Sequence, residues 1–532
     1  MKIKRINIPQ WFFPVIILSV GALIRLVYLG SMPGGFHQDE TFVALNAYDI
    51  YREGRDSAGL YMPVYMSSWG DGQSAMYIWL LSFLMLLTGG RWNIYLCRLP
   101  QALVAIFTIL AVYFLMRRMF NRTAGLWAMF LLTICPWHVM MSRWGLDANL
   151  APGFLMFGLL FFIKGLHNQR FFLLSAAFYG MSLYCYAVIW PIVPILLLLQ
   201  SIYGLCRKKI RLNKYTFLSA GVLFVAALPL LLFVLVNKNI LPPFSSSFMT
   251  IPKTANFRSG EMSFHVTDMI DNFKTTARLF LKQDTGSVYD VLMPWGLFYD
   301  IGRILIVLGA ILLFYKTVVN MIKKQFTYEF FIAANVLCGV INGLYVSAKL
   351  HQVNSLFIPL VLCEAYGIWQ ITGWIIKRKK VIGQSITIAA VVFYSISFLL
   401  FQRDYYTDYK EVTNAYFAAG VQESVAFAVK NAKELGITTI SAEKAAQWPR
   451  LLLFSGTLPS EYLEHVEYER FPTPSAFEKD GIQILTRINY DDINSDTIYI
   501  IYYIDEELFQ ENYILTEFYD WRVAVPKDKL ED

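Results

Sequence analysis

The sequence predicts a polytopic α-helical membrane protein with about 11 transmembrane helices, external juxtamembrane helices and a small C-terminal external α/β domain. Three observations predict it. The 532 residues are 56% hydrophobic and only 16% charged, outside the range of soluble globular chains. Apolar runs of near-spanning length recur through the first three quarters of the chain. The charge is split: basic residues outnumber acidic ones roughly two to one over 1–402, and the ratio inverts over 403–532. The basic residues lie in short clusters between apolar runs, the habit of cytoplasmic membrane loops, so a nucleic-acid surface is excluded. The six cysteines sit in or beside apolar segments with no CxxC spacing, which argues against a disulfide framework or a zinc site.

In chain order, Met1–Arg5 and the apolar run 11–30 read as a membrane anchor; the run is too long for a signal-peptide core and lacks a small-x-small cleavage site. Further runs fall near 75–89, 100–116, 123–141, 149–165, 171–188, 190–206, 216–236, 303–321, 329–347, 354–376 and 382–402. The short run 75–89 decides the topology. If it does not cross, Met1–Arg5, Arg117–Arg122, Lys164–Arg170, Arg207–Lys214, Lys316–Lys324 and Lys377–Lys380 share one side. The acids Asp39, Glu40, Asp71, Asp147, Glu261 and Asp290 then share the other. The positive-inside rule favours that arrangement, with the N-terminus cytoplasmic and the C-terminus extracytoplasmic. Residues 75–89 become a juxtamembrane or re-entrant helix, tolerated where protein covers it.

Two domains follow. Residues 1–402 form the transmembrane part, with external loops at about 31–98 and 237–302, the second carrying an amphipathic helix around Val266–Leu281. Residues 403–532 form a soluble domain, with a helix over Gly420–Leu435 and strands at Ile437–Ser441, Ile482–Arg487 and Thr497–Ile504. The tail carries no glycine-rich phosphate loop.

Candidate chemistry centres on Gly34-Gly35-Phe36-His37-Gln38-Asp39-Glu40, just beyond the first span. Acidic residues at a membrane surface are costly to desolvate and are read first as functional. Carboxylates also favour helix N-termini, so Asp39 and Glu40 have a structural reading as well. A further acid, Asp147, follows the third span on the same face, in Ser142-Arg143-Trp144-Gly145-Leu146-Asp147. Asp39 and Asp147 are the pair to hold a divalent cation, Mg or Mn, if one is used.

An Asp-Glu after the first span, Arg98-Leu99-Pro100 before the second, and the run Pro136 to Asp147 after the third form a recurring pattern. It resembles the protein O-mannosyltransferase and aminoarabinose-transferase group of GT-C glycosyltransferases, over about residues 10–400. Phe280-Leu281-x-x-Asp284 with Trp295-Gly296, and His351-x-x-Asn354-x-x-x-x-Pro359, are similar to later elements of bacterial members. The tail matches no family in this way.

The resemblance implies a polyprenyl-phosphate-linked sugar donor and inverting transfer of a hexosyl or pentosyl group outside the membrane. The acceptor is then a protein, a lipid or a cell-wall polymer of the envelope. Asp39 would be the general base, with Glu40 and Asp147 beside it, Glu40 orienting either an acceptor or a basic partner. The phosphate leaving group needs cationic stabilisation, for which Arg98, Arg143, Lys349 and His351 are candidates. Lys349 suits a lipid headgroup equally well. His37 and His138 read as structural hydrogen-bonders. Trp69, Trp144 and Trp295 are external aromatics able to stack on a sugar. Arg25 and Glu364 are charges within spans. A transporter or flippase of a lipid-linked saccharide and a non-enzymatic assembly protein are the competing classes. The chain lacks the repeated, glycine- or proline-broken halves of the former, and the latter predicts no convergence of the external acids.

Overall fold

The apolar runs are helical in the computed structural model, the run 123–141 being broken at Cys135 into Arg122–Ile134 and Pro136–Met141; the structure describes residues 9–530 apart from 70–71, 256, 258–261 and 348. Met1–Arg5, Asp71 and Glu261 lie outside the described residues. Among these, 7 helices are long and apolar enough to cross a membrane: Ile94–Met119, Asp147–Gly165, Ala187–Cys206, Lys214–Asn237, Asp300–Ile322, Leu350–Arg378 and Lys380–Tyr406. Shorter apolar helices occupy Phe12–Leu26 (α1), Met76–Thr88, Arg122–Ile134, Phe171–Leu183 and Glu329–Tyr345.

The region expected to be the first external loop is structured throughout its described length. It holds helix α2 (Gln38–Glu53), a hairpin of β1 (Tyr65–Met66) and β2 (Gln73–Ser74), and helix α3 (Met76–Thr88). With 13 residues, α3 is about 20 Å long, short of the ~30 Å hydrocarbon core. It buries Tyr77, Ile78 and Leu81 against the rest of the protein. Helix α4 (Ile94–Met119) follows, capped by the Asn93 side chain, which accepts from the Leu96 N–H. The second external region carries a small hairpin, β3 (Phe244–Ser245) with β4 (Thr250–Ile251). It continues into the amphipathic helix Val266–Lys282, which is held to the Glu329–Tyr345 helix by Thr276 donating to the Gly343 carbonyl.

Charges inside the helical region are paired. Arg25 donates to the carbonyls of Gly21, Leu132 and Thr133, and its Nη2 lies 2.6 Å from His138 Nδ1. Glu364 accepts from the Tyr394 hydroxyl. Both meet the requirement that a charge within a span find polar partners inside the bundle.

The tail begins after the helix Lys380–Tyr406 with two more helices, Asp408–Tyr416 and Val421–Leu435. Its sheet contains β5 (Thr439–Ala442), β6 (Glu467–Arg470), β7 (Thr473–Lys479), β8 (Ile482–Leu485), β9 (Thr497–Tyr502), β10 (Tyr513–Phe518) and β11 (Trp521–Pro526). The strand order is β10-β11-β9-β5-β8-β7-β6, with β5 parallel to β8 and β9 and the remaining pairs antiparallel. Side chains alternate across the sheet. Ile498 and Ile500 join the main core with Val425 and Ala428 of the overlying helix, while Tyr499 and Ile501 face a second cluster with Phe509 and Tyr513. The sequence predicts β5, β8 and β9. Strand β6 escapes because all four of its residues are exposed and mostly charged, and β7, between β8 and β6, carries Pro474 where its pairing with β6 is irregular, a place where proline is tolerated.

Candidate active site

The Asp39–Glu40 motif is a helix cap. His37 is the N-cap of α2: its Nδ1 accepts from the Asp39 N–H at 3.2 Å, and Glu40 reaches back to accept from the His37 N–H at 3.1 Å. This is the reciprocal logic of a capping box, with histidine in the place usually held by serine or threonine. Burial pushes the His37 imidazole down, against the pull of Asp39 and Glu40, so the ring is neutral and can accept.

The two acids have different surroundings. Glu40 is buried and accepts four hydrogen bonds: Arg98 Nε at 2.8 Å, Arg98 Nη2 at 2.9 Å, the Gly145 N–H at 2.7 Å, and the His37 N–H. Burial opposes its ionisation, but the Arg98 guanidinium and the Gly145 amide outweigh it and hold the carboxyl below the usual range. Asp39, one residue earlier, is one-third exposed, its Oδ2 3.7 Å from His37 Nδ1.

Arg98 is 0% exposed. Besides Glu40 it donates to the carbonyls of Leu29, Pro33 and Gly35. With Glu40 these contacts use its Nε and both terminal nitrogens, so in this geometry Arg98 organises the loop and presents no group to an anion. Arg143 is equally buried. It donates to the carbonyls of Ile24, Val27 and Met32, where α1 ends, and lies over the rings of Tyr405 and Tyr406. In this structure both guanidiniums, expected to contact a donor phosphate, are buried and turned to the protein's own carbonyls and, for Arg98, to Glu40.

Asp147 starts a 3₁₀ turn and is buried; its oxygens accept from the Ser74 N–H at 3.2 Å and the Ala148 N–H at 2.8 Å, tying the β1–β2 hairpin to the loop after Met141. No group of three or more His, Cys, Asp or Glu side chains is arranged to hold a metal among the described residues. The residues present thus do not form a ligand set around Asp39 and Asp147, and no step is derived through a metal.

Lys349 is exposed at the start of the short helix Leu350–Val353, and His351 is half-buried. His351 lines a cleft together with Trp137, Trp144, Asn149, Tyr289 and Asp290. One wall of this cleft continues into the motif: Trp144 stacks on His37 with centroids 4.7 Å apart, and Tyr289 lies 5.8 Å from the same ring. Burial raises the Tyr289 hydroxyl, helped by the charges of Asp290 and Asp39. Burial also pushes Asp290 up to about 6. Of the other aromatics, Trp144 is buried, Trp295 donates to Asp404 at 2.8 Å, and Trp69 is 36% exposed.

The tail is built into this site. Arg450, on the helix Trp448–Ser455, donates through Nε and Nη2 to the Phe36 carbonyl at 3.2 and 2.9 Å and through Nη1 to Gln447. Burial lowers its pKa to about 10 against the opposing charges of Asp39 and Glu40. The Gln447 amide donates to Gln38, and Trp448 packs edge-on against Phe42 of α2. The Gly34 N–H donates to Thr413 Oγ1 at 2.8 Å, and the Phe36 N–H to the Phe417 carbonyl at 2.7 Å. Sequence reasoning placed Asp290 with the external acids but gave it no site role, and it missed Arg450, Gln447 and Tyr289; no local pattern marks these three, because each comes to the N-terminal turn of α2 from a distant segment.

Residues 73–233 match the family model described as dolichyl-phosphate-mannose-protein mannosyltransferase. No curated protein sequence shows significant similarity to the chain. Among solved structures, ArnT from Cupriavidus metallidurans bound to undecaprenyl phosphate aligns over 97% of this chain and 98% of its own, with 12% identity and a TM-score of 0.56. Its apo state aligns over 96% and 97%, with 12% identity and a TM-score of 0.55. An oligosaccharyltransferase from Archaeoglobus fulgidus, tethered with an acceptor peptide, covers 85% of this chain and 64% of its own, with 12% identity and a TM-score of 0.50.

Proposed function

We propose, starting from the GT-C glycosyltransferase fold that this chain has, that it transfers a sugar from a polyprenyl-phosphate donor to an acceptor hydroxyl at the extracytoplasmic membrane face. Asp39 is the general base. One observation carries the assignment: Glu40 is neutralised and buried by Arg98, whereas Asp39 on the same helix turn keeps a partly exposed carboxylate beside an aromatic-walled cleft.

Asp39 takes the proton of the acceptor hydroxyl as its oxygen attacks the anomeric carbon. The C–O bond to phosphate breaks on the opposite face, so the configuration inverts. A carboxylate near the ring also stabilises the oxocarbenium character of the transition state. Phosphate leaves without needing a general acid. Lys349, exposed, and His351, in the cleft, are the cationic and hydrogen-bonding groups assigned to it. The reading takes the chain to have 11 spans with a cytoplasmic N-terminus and the tail outside, the arrangement favoured by the distribution of basic clusters.

The test compares Asp39→Asn with wild type at matched membrane abundance, scoring label transferred from a panel of polyprenyl-phosphate sugars into envelope material. Loss of transfer with donor binding retained is expected. Undiminished transfer removes Asp39 from the mechanism, and no transfer by wild type from any donor favours the transporter or assembly reading.

A further inference from the structure

A second cleft lies between the first external region and the tail. Trp69 forms one wall; Lys444, Gln447, Trp448, Glu469 and Arg487 form the other. Trp69 is 36% exposed and sits edge-on to Trp448, with centroids 5.6 Å apart. Two non-glycine residues here adopt left-handed backbone, Trp69 at φ 49° and Gln447 at φ 63°. Such conformations are costly and persist where surroundings impose them, characteristically at binding sites. Gln447 also hydrogen-bonds Gln38, the residue preceding Asp39. The cleft is thus coupled by one side-chain contact to the turn that presents the proposed base.

We propose that this cleft binds the acceptor, and that the acceptor is a glycan, with a sugar ring lying against the Trp69 indole and its hydroxyls meeting Lys444, Arg487 and Glu469. This rests on the glycosyl-transfer reading above. The lining favours a hydroxyl-rich ligand: it offers donors from Lys444 and Arg487, an acceptor from Glu469, and an apolar aromatic face. A peptide acceptor would be expected to add to the sheet edge beside the cleft. That edge is β6, which is only four residues long and whose pairing with β7 is broken by register shifts at Glu467/Tyr468 and Tyr468/Arg470. A short, irregular edge is a poor template for strand addition.

The experiment places the full-length protein, in lipid nanodiscs, on an array of immobilised oligosaccharides, neutral and uronic-acid-containing, with unmodified peptides alongside. Wild type is expected to retain a subset of the glycans. Trp69→Ala should weaken that binding about tenfold or more, Trp69→Phe should restore most of it, and Asp39→Asn should bind as wild type does. In the transfer assay, Trp69→Ala should raise the acceptor KM while release of donor sugar to water is unchanged. The proposal is overturned if wild type retains no glycan, if peptides are retained instead, or if Trp69→Ala binds undiminished. Trp69-dependent glycan binding without transfer from any donor would leave the cleft standing and remove the glycosyl-transfer reading. Asp39-dependent transfer without Trp69-dependent binding would do the reverse.

Discussion

Arg98 and Glu40 form a two-pronged ion pair, Nε to Oε1 at 2.8 Å and Nη2 to Oε2 at 2.9 Å, in which neither side chain has more than 1% of its surface exposed. Removing one member of such a pair strands the other as an uncompensated buried charge, which costs about 3–5 kcal/mol. Arg98→Met is therefore expected to lower the thermal unfolding midpoint in detergent sharply. Lys349→Ala, at an exposed position, should leave the midpoint in place and instead raise the donor KM. Equal midpoints for the two variants would overturn the structural role given to Arg98.

Asp39 should behave oppositely to its neighbour. Asp39→Asn removes a proton acceptor without removing a buried partner, so stability should hold while kcat falls by about a hundredfold or more. Glu40→Gln should lose stability first. The paired comparison is made by thermal unfolding and label transfer on the same preparations.

Gly35 is positioned for a backbone–backbone approach. Its φ is +65°, and an added Cβ would lie 2.5 Å from the Phe417 carbonyl oxygen and 2.9 Å from the Ala419 nitrogen. Left-handed strain alone costs of order 1–3 kcal/mol, and the clash falls on main chain that cannot rotate away. Gly35→Ala should loosen the tail from the first external region. Limited proteolysis in the linker around Asp408–Tyr416 is expected to accelerate in the variant.

Asp49 and Asp56 give a pH dependence with a definite sign. Both are buried; the two Asp49 oxygens and Asp56 Oδ2 have no hydrogen-bond partner among the described residues. Burial raises both, Asp56 to about 7, with Asp49 raised further by the nearby Asp56 and Glu53 charges. Unfolded, each would release its proton near the ordinary value of about 4. Between those limits the folded state binds more protons, so stability is highest at the acidic end and falls as pH rises toward 7. The unfolding midpoint of wild type should drop between pH 5 and pH 8, and Asp56→Asn should flatten that slope. An unchanged slope would refute the assignment.

How far the site could be read from sequence depends on how local each contact is. The Asp39–Glu40 pair was legible because an acidic doublet at a span's mouth is chemically conspicuous. Its division of labour was not, since the partner of Glu40 lies 58 residues away on α4. Of the readings left open for Glu40, the one with a basic partner matches the geometry. Arg98 and Arg143 were conspicuous for their charge, yet charge does not reveal that both donate to backbone carbonyls between Ile24 and Gly35, and Arg98 also to Glu40. Arg450 carries no local signal at all: an arginine in a soluble tail looks like any solvated one until the fold brings it to Phe36. Helices were legible in long apolar runs; the edge strand β6 was not, because its exposure removes the alternation, and β7 was not, because Pro474 argues against a strand there.

The clamp between Arg450 and the Phe36 carbonyl joins residues 414 positions apart. At about 5–20 residues per second, the ribosome delivers the second partner tens of seconds after the first. Throughout that interval α2 and its acidic doublet lack the tail that packs against them. Biosynthesis thus imposes an order on assembly: the proposed site is completed only after Arg450 has been made. Nascent or C-terminally shortened chains should occupy the bilayer as inert precursors.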